Sequence, residues 1–264
     1  MIYFLSPFYN EEEFLDKFIN DLGKTANKIS PKNYKIFLVN DGSQDQSLKI
    51  ALSFKKKYPI TIISYKRNKG VDFAFKEGFR KIFKTVKRQD IIATLESDNT
   101  SDLSILKELI QKIRGGTDVA LASCYAKGGG VYGTGIYRQV GSKVFNYIFY
   151  LIFPIKGVKT YSSFYRSYNA TNLKKAWGAY EGKLIDIKGF ACMVEMLIKL
   201  SKLPLNIEEV PMVLRWEGRQ GKSKMRIGKT VLGYWSIVKE LFLKEKFGSN
   251  GIVERARKKF QEKK

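Results

Sequence analysis

Between residues 2 and 123, short apolar runs alternate with segments of helical periodicity, and this alternation constrains the fold more than any other feature. Ile2–Pro7, Tyr34–Asn40, Ile60–Tyr65, Ile91–Leu95 and Val119–Ser123 read as buried strands. Between them lie Glu11–Ile29, Ser43–Tyr58, Val71–Lys84 and Leu103–Arg114, the last closed by Gly115-Gly116. The first of these places Phe14, Leu15, Phe18, Ile19 and Leu22 at helical spacing, with Asn10 as its expected N-cap. Strands separated by helices imply an α/β protein with a mostly parallel, doubly wound sheet. A length of 264 residues accommodates one large domain or two small ones.

Such sheets place ligands beyond the carboxyl ends of their strands. The run Ile91-Ile92-Ala93-Thr94-Leu95 ends there in Glu96-Ser97-Asp98. Residues two apart in an extended chain point the same way, so Glu96 and Asp98 can face one point beyond the sheet. Two carboxylates so placed suit a hard divalent cation that also meets phosphate oxygens. An acidic turn after a strand is the plainer alternative on these residues alone.

The chain carries 48 Lys and Arg against 25 Asp and Glu, a net +23. Such a surface attracts nucleic acid, anionic lipid or phosphorylated substrates. Its basic residues are spread along the chain without interleaved aromatic residues, which argues against nucleic acid. There is no histidine, so histidine bases, histidine-ligated zinc and Ser-His or Cys-His catalysis are excluded. Cys124 and Cys192 form no metal-spaced pair and fit a reducing cytosol. Met1–Leu5 lacks the basic start and long apolar core of a signal peptide and reads as strand. No apolar run reaches the roughly 18–20 residues that span a bilayer.

After Cys124, Gly128-Gly129-Gly130, Gly133 and Gly135 predict a mobile loop, followed by Arg138. Val140, Val144, Tyr147, Ile148, Leu151 and Ile152 then share one helical face, and Val231, Tyr234, Trp235, Val238, Leu241 and Phe242 share another. Either face could be core. The second lies in a strongly basic region, and basic amphipathic helices rich in aromatic residues also lie in membrane interfaces.

Four segments fall where an α/β sheet would hold its ligand: Ser6-Pro7-Phe8-Tyr9-Asn10-Glu11, Val39-Asn40-Asp41-Gly42-Ser43-Gln44-Asp45, Arg67-Asn68-Lys69-Gly70 and Arg219-Gln220-Gly221-Lys222-Ser223-Lys224. Singly, each has a bland reading: a turn, a helix cap, a helix packed by Gly70, Ala74 and Gly78, or a basic loop. Together and in order they resemble the inverting family 2 glycosyltransferases of the GT-A fold, in their dolichol-phosphate mannose synthase-like branch. The resemblance covers about residues 1–225. It rests on Pro7, Tyr9, Asn10 and Glu11; on Asn40-Asp41-Gly42-Ser43; on Asn68, Gly70, Ala74 and Gly78; on Glu195 before Glu209-Val210-Pro211; and on Gly221, Ser223 and Lys224.

The resemblance implies a GT-A domain over 1–225; residues 226–264, outside it, read from their spacing and charge as a basic amphipathic helix and a solvated tail from Arg255 to Lys264. It implies that Pro7, Tyr9, Glu11 and Asp41, with Asn68, hold the nucleotide, and that Glu96, Ser97 and Asp98 meet the nucleotide sugar. Mg²⁺ or Mn²⁺ would be ligated by Asp98 with help from Glu96. Arg219, Ser223 and Lys224 would close over the diphosphate. Catalysis is expected of Asp98, Glu195 and Arg219. The implied reaction transfers one sugar from a GDP- or UDP-sugar to a membrane polyprenyl phosphate, with inversion. The acceptor is already an anion, which suits a chain without histidine. The expected place is the cytoplasmic, inner face of a membrane, held by anionic lipid or a small membrane-anchoring protein. An alternative keeps the donor and takes a sugar hydroxyl as acceptor, which calls for a carboxylate base, Glu195 or Asp186. A non-catalytic nucleotide-sugar-binding protein is a further alternative.

The chain departs from the family in four places. Glu96 stands where the family has Asp, and Cys124 where it has an Arg expected to bind phosphate, with Arg138 and Arg166 as conceivable substitutes. Thr160-Tyr161-Ser162-Ser163 replaces a run that begins with Asp, and Gly218 occupies a position usually held by Arg.

Overall fold

The computed structural model describes residues 1–216, 227–243 and 251–262. The predicted strands form one sheet with β1 (Ile2–Phe8), β2 (Tyr34–Asn40), β3 (Ile60–Ser64), β4 (Ile91–Thr94) and β5 (Val119–Ser123). Two further strands, β7 (Arg166–Asn169) and β8 (Ile207–Pro211), complete it in the order β3-β2-β1-β4-β7-β5-β8. All neighbours are parallel except β7, which runs antiparallel between β4 and β5. Because β7 is reversed, its entry, Tyr161–Tyr165, comes to the same edge of the sheet as the carboxyl ends of the other strands.

Helix α1 (Glu12–Ile29), α2 (Ser47–Ser53) and α4 (Leu106–Arg114) cover one face, where Phe4, Leu15, Ile19, Ala51 and Ile110 share a core. Helix α3 (Val71–Phe83) packs on the other face, with α6 (Ala170–Ala179) and α7 (Cys192–Ser201). The same core takes in Ile237 and Leu241, and it includes Val253 and Phe260 of the last described helix, Ile252–Glu262. Gly78 sets the distance between α3 and the sheet: a Cβ there would lie 2.3 Å from Leu5 Cδ1.

The structure corrects several local expectations. Asn10 does not cap α1; it sits at φ 51°, and its Oδ1 accepts the Gln44 amide at 2.8 Å. Helix α2 starts at Ser47 rather than Ser43, because the Ser43 amide donates to Asn40 Oδ1 at the end of β2 and the Gln44 amide to Asn10 Oδ1 in the loop after β1. The glycine-rich stretch is not wholly loop: β6 (Gly130–Tyr132) pairs in parallel with β9 (Val213–Arg215) in a small second sheet. On helix α5 (Ile136–Ile152), Val140, Val144, Tyr147, Ile148 and Leu151 are exposed. Phe145 and Phe149 face inward instead and meet Tyr234 of helix α8 (Ile227–Val238), with ring centroids 4.1 and 5.5 Å away. On α8, Val231 and Trp235 face outward while Tyr234 and Val238 pack inward, so the predicted second face is divided between core and surface.

Candidate active site

The ends of β1, β2 and β4 are laced together at the carboxyl edge. The Asp41 amide donates to Phe8 O and the Leu95 amide to Leu5 O. Ser97 Oγ donates to Pro7 O at 3.1 Å. The Asn10 amide donates to Ser43 Oγ at 3.0 Å, and the Glu11 amide to Ser47 Oγ at 2.7 Å. Pro7, Tyr9, Glu11, Asp41, Glu96, Ser97 and Asp98 thus lie on adjoining strand ends. Asn68 is exposed, on the loop that follows β3.

Asp41 organises that loop. Its buried carboxylate accepts the Lys69 amide at 2.8 Å and the Gly70 amide at 2.9 Å. Burial raises the Asp41 carboxyl above its ordinary range, and the two amides oppose the rise. Gly42 allows the close approach: it has φ +74°, and a Cβ there would lie 2.4 Å from the Arg67 carbonyl carbon. Lys69 Nζ sits over the rings of Tyr65 and Phe73, 5.0 and 4.4 Å from their centroids.

Beyond β4, Asp98 Oδ1 accepts both the amide and the hydroxyl of Thr100, at 3.1 and 2.6 Å. Asn99 turns the chain at φ 57° and anchors it to α1 by donating to Phe14 O. Asp98 is 9% exposed and Glu96 half-buried. Among the described residues, no three acidic, cysteine or histidine side chains group as a metal cage. One or two carboxylates completed by substrate phosphates is the way Mg²⁺ is commonly bound, and Asp98 with Glu96 fits that donor set.

Other expected residues sit elsewhere. Glu195, on α7, is 2% exposed. Its Oε2 accepts the amides of Asp186 and Ile187, both at 2.8 Å, and its Oε1 meets Lys199 Nζ at 2.5 Å. Arg219, Ser223, Lys224 and Gly218 lie outside the described residues. Arg166 cannot replace the phosphate-binding arginine: it is fully buried and donates to Met193 O and Tyr161 O at 2.8 and 2.9 Å. Arg138 lies 4.0 Å from the centroid of the Trp216 ring. Burial pushes the Cys124 thiol up to about 11, which keeps it neutral. Thr160 is built into the β5–β8 end: its Oγ1 shares a 2.6 Å hydrogen bond with Ser123 Oγ, and its amide donates to Glu209 Oε1 at 2.7 Å.

Asp72 was not singled out in the sequence. It lies two residues after Gly70, in the first turn of α3, and its Oδ1 accepts the Gly189 amide at 2.7 Å. Its signal was an acid inside the Asn68–Gly78 motif, at a position that reads equally well as an ordinary first-turn helix acid.

The glycosyl transferase family 2 model matches residues 3–176. A dolichol-phosphate mannosyltransferase of Pyrococcus furiosus is 30% identical over 232 residues, which cover 86% of this chain and 60% of that protein. This chain therefore spans less than two thirds of that relative's length. A polyprenol monophosphomannose synthase of Mycolicibacterium smegmatis is 23% identical over 95% of this chain and 88% of its own. Among solved structures, glucosyl-3-phosphoglycerate synthase of Mycobacterium tuberculosis, solved with Mn²⁺, UDP and glucosyl-3-phosphoglycerate, superposes with a TM-score of 0.64. It is 14% identical and matches over 90% of this chain and 79% of that one. Mannosyl-3-phosphoglycerate synthase of Rubrobacter xylanophilus superposes with a TM-score of 0.62 at 16% identity, over 93% and 74%. With a GT-A-like sheet, the motif residues gathered at its carboxyl edge and a family model that matches about two thirds of its length, the chain belongs to glycosyl transferase family 2 and is similar to dolichol-phosphate mannosyltransferase and polyprenol monophosphomannose synthase.

Proposed function

We propose that this chain transfers a single sugar from a nucleotide sugar to a polyprenyl phosphate, with inversion at the anomeric carbon. The observation that supports the reading is that the Asp41-held loop and Asp98 flank the end of β1, at the same carboxyl edge of the sheet. Its family context is a relative named for mannosyl transfer to dolichol phosphate.

Pro7, Tyr9, Glu11, Asp41 and Asn68 are assigned to the nucleotide. Glu96, Ser97 and Asp98 are assigned to the sugar diphosphate, and Arg219, Ser223 and Lys224 to closing over it. Asp98, with Glu96, would hold Mg²⁺ or Mn²⁺, the metals bound by the M. tuberculosis structural neighbour. When bound, the metal offsets the diphosphate's charge and favours its departure. The acceptor's phosphate oxygen attacks the anomeric carbon as the bond to the donor diphosphate breaks, and the nucleoside diphosphate leaves with the electron pair. A phosphate needs no base, and Glu195 enters as a positioning residue, because two amides and Lys199 already occupy its carboxylate. That occupancy removes Glu195 as the base a sugar hydroxyl would require and leaves that alternative to Asp186, which is exposed and 3.9 Å from Lys76.

The membrane is met by α5 and α8. Among the described residues no helix is long and apolar enough to cross a bilayer. Ile136, Tyr137, Tyr147 and Leu151 of α5 and Val231, Leu232 and Trp235 of α8 are instead exposed on two helices packed side by side. An amphipathic surface on so basic a chain suits the anionic, cytoplasmic face of a membrane. A small membrane protein could share that anchoring.

Calorimetric titration with UDP and with GDP, each with Mn²⁺ and with the metal omitted, tests the donor half. Metal-dependent binding of one nucleotide is expected. A folded protein that binds neither contradicts the reading.

A further inference from the structure

We propose that Lys188 is the cation that receives the acceptor's phosphate, and that Asp72 and Glu195 position it. The proposal rests on the polyprenyl-phosphate reading above. An anionic acceptor brought beside a diphosphate donor meets like-charge repulsion unless a cation intervenes. Two positions that the resemblance offers for one do not supply it: residue 124 is Cys in place of Arg, and Arg166 is sealed in the core.

Lys188 is exposed on the segment before α7, and the backbone is fixed on both sides of it. Before it, the amides of Asp186 and Ile187 donate to Glu195 Oε2. After it, the Gly189 amide donates to Asp72 Oδ1 at 2.7 Å. Lys76, one turn along α3 from Asp72, adds an ion pair to Asp186 at 3.9 Å.

The segment lies in a seam. On one side is the donor loop, since Asp72 follows Gly70, whose amide is held by Asp41. On the other is α8: a Cβ on Gly233 would lie 2.8 Å from Ala191 Cβ and 3.7 Å from Lys188 O. The same helix exposes Val231, Leu232 and Trp235. In this proposal a lipid tail held on the exposed side of α8, opposite Gly233, reaches its phosphate round the helix to this seam. The flexible four-carbon stem of lysine lets the ammonium follow that phosphate to the donor.

The test is steady-state transfer to a short-chain polyprenyl phosphate by the full chain, with donor and acceptor varied separately. Lys188→Ala should raise the acceptor KM roughly tenfold or more, the loss of one hydrogen bond to a charged group. Donor KM and nucleotide affinity should stay within about twofold on the same grounds. Lys188→Arg should recover most of the loss. Asp72→Ala, checked for folding by thermal unfolding, should raise the acceptor KM more than the donor KM, and Asp72→Asn should fall between it and the wild type. An unchanged acceptor KM in Lys188→Ala overturns the proposal, as does an equal rise in donor KM. So does an acceptor defect that appears in Arg138→Ala and not in Lys188→Ala. A wild type that binds nucleotide but never transfers to polyprenyl phosphate overturns the functional reading as well; a fully active wild type with an indifferent Lys188→Ala overturns this assignment alone.

Discussion

At the scale of single residues, the donor loop depends on Asp41 and Gly42. Gly42→Ala must relieve a 2.4 Å approach to backbone at a positive φ. It should destabilise the fold by roughly 1–3 kcal/mol, read by urea unfolding, and weaken nucleotide binding by displacing Arg67 and Asn68. Asp41 gives a pH signature. Its carboxyl is raised by burial, so its contribution to stability is present below the ordinary carboxylate range and is lost as pH rises through the raised value. Nucleotide binding runs the other way. The ionised form is the stronger acceptor for the Lys69 and Gly70 amides, so affinity should fall as pH drops through that window. Asp41→Asn should flatten the profile; a pH dependence that survives the substitution places the titrating group elsewhere. Asp98→Ala removes two hydrogen bonds to Thr100, about 1–2 kcal/mol of stability, and should abolish metal-dependent nucleotide binding in a protein that still folds.

At the scale of elements, the surface helices carry the membrane claim. Val231 and Trp235 on α8 are 57% and 63% exposed, and Leu151 on α5 is 61% exposed. Replacing all three by Glu should leave the melting temperature within a few degrees, since surface changes cost little. The same variant should lose sedimentation with anionic vesicles. Retained vesicle binding would mean that the apolar face is not the contact.

Elements were unevenly legible in the sequence. The five predicted strands stood out because buried parallel strands are continuous apolar runs. Strand β7 did not, since Arg166-Ser167-Tyr168-Asn169 has a strand's burial but a loop's composition. Its arginine is satisfied by two carbonyls that only the folded chain supplies. The periodicity of α5 was visible, but its direction was not: Val140 and Leu151 read as core or surface until Phe145 and Phe149 were seen against Tyr234.

At the scale of the whole molecule, one sheet separates two apolar cores, and its carboxyl edge gathers the motif residues that sequence order had scattered over nearly a hundred positions. Pro7, Tyr9, Asp41, Glu96 and Asp98 could be placed at that edge from the sequence, because strand ends determine where such residues go. The roles of Glu195, Asp72 and Lys188 could not, since each depends on contacts across 8 to 117 positions. A net charge of +23 favours anionic ligands and anionic surfaces in general. The most direct test is to supply GDP-mannose or UDP-sugars and a short-chain polyprenyl phosphate, with Mn²⁺ or with chelator, to detect the lipid product by mass spectrometry and to read its anomeric configuration by NMR. The account predicts one nucleotide sugar converted to a phosphate-linked monosaccharide lipid of inverted anomeric configuration, in a metal-dependent reaction lost in Asp98→Ala. Transfer to a sugar hydroxyl with polyprenyl phosphate left untouched, or retention of the anomeric configuration, would contradict it.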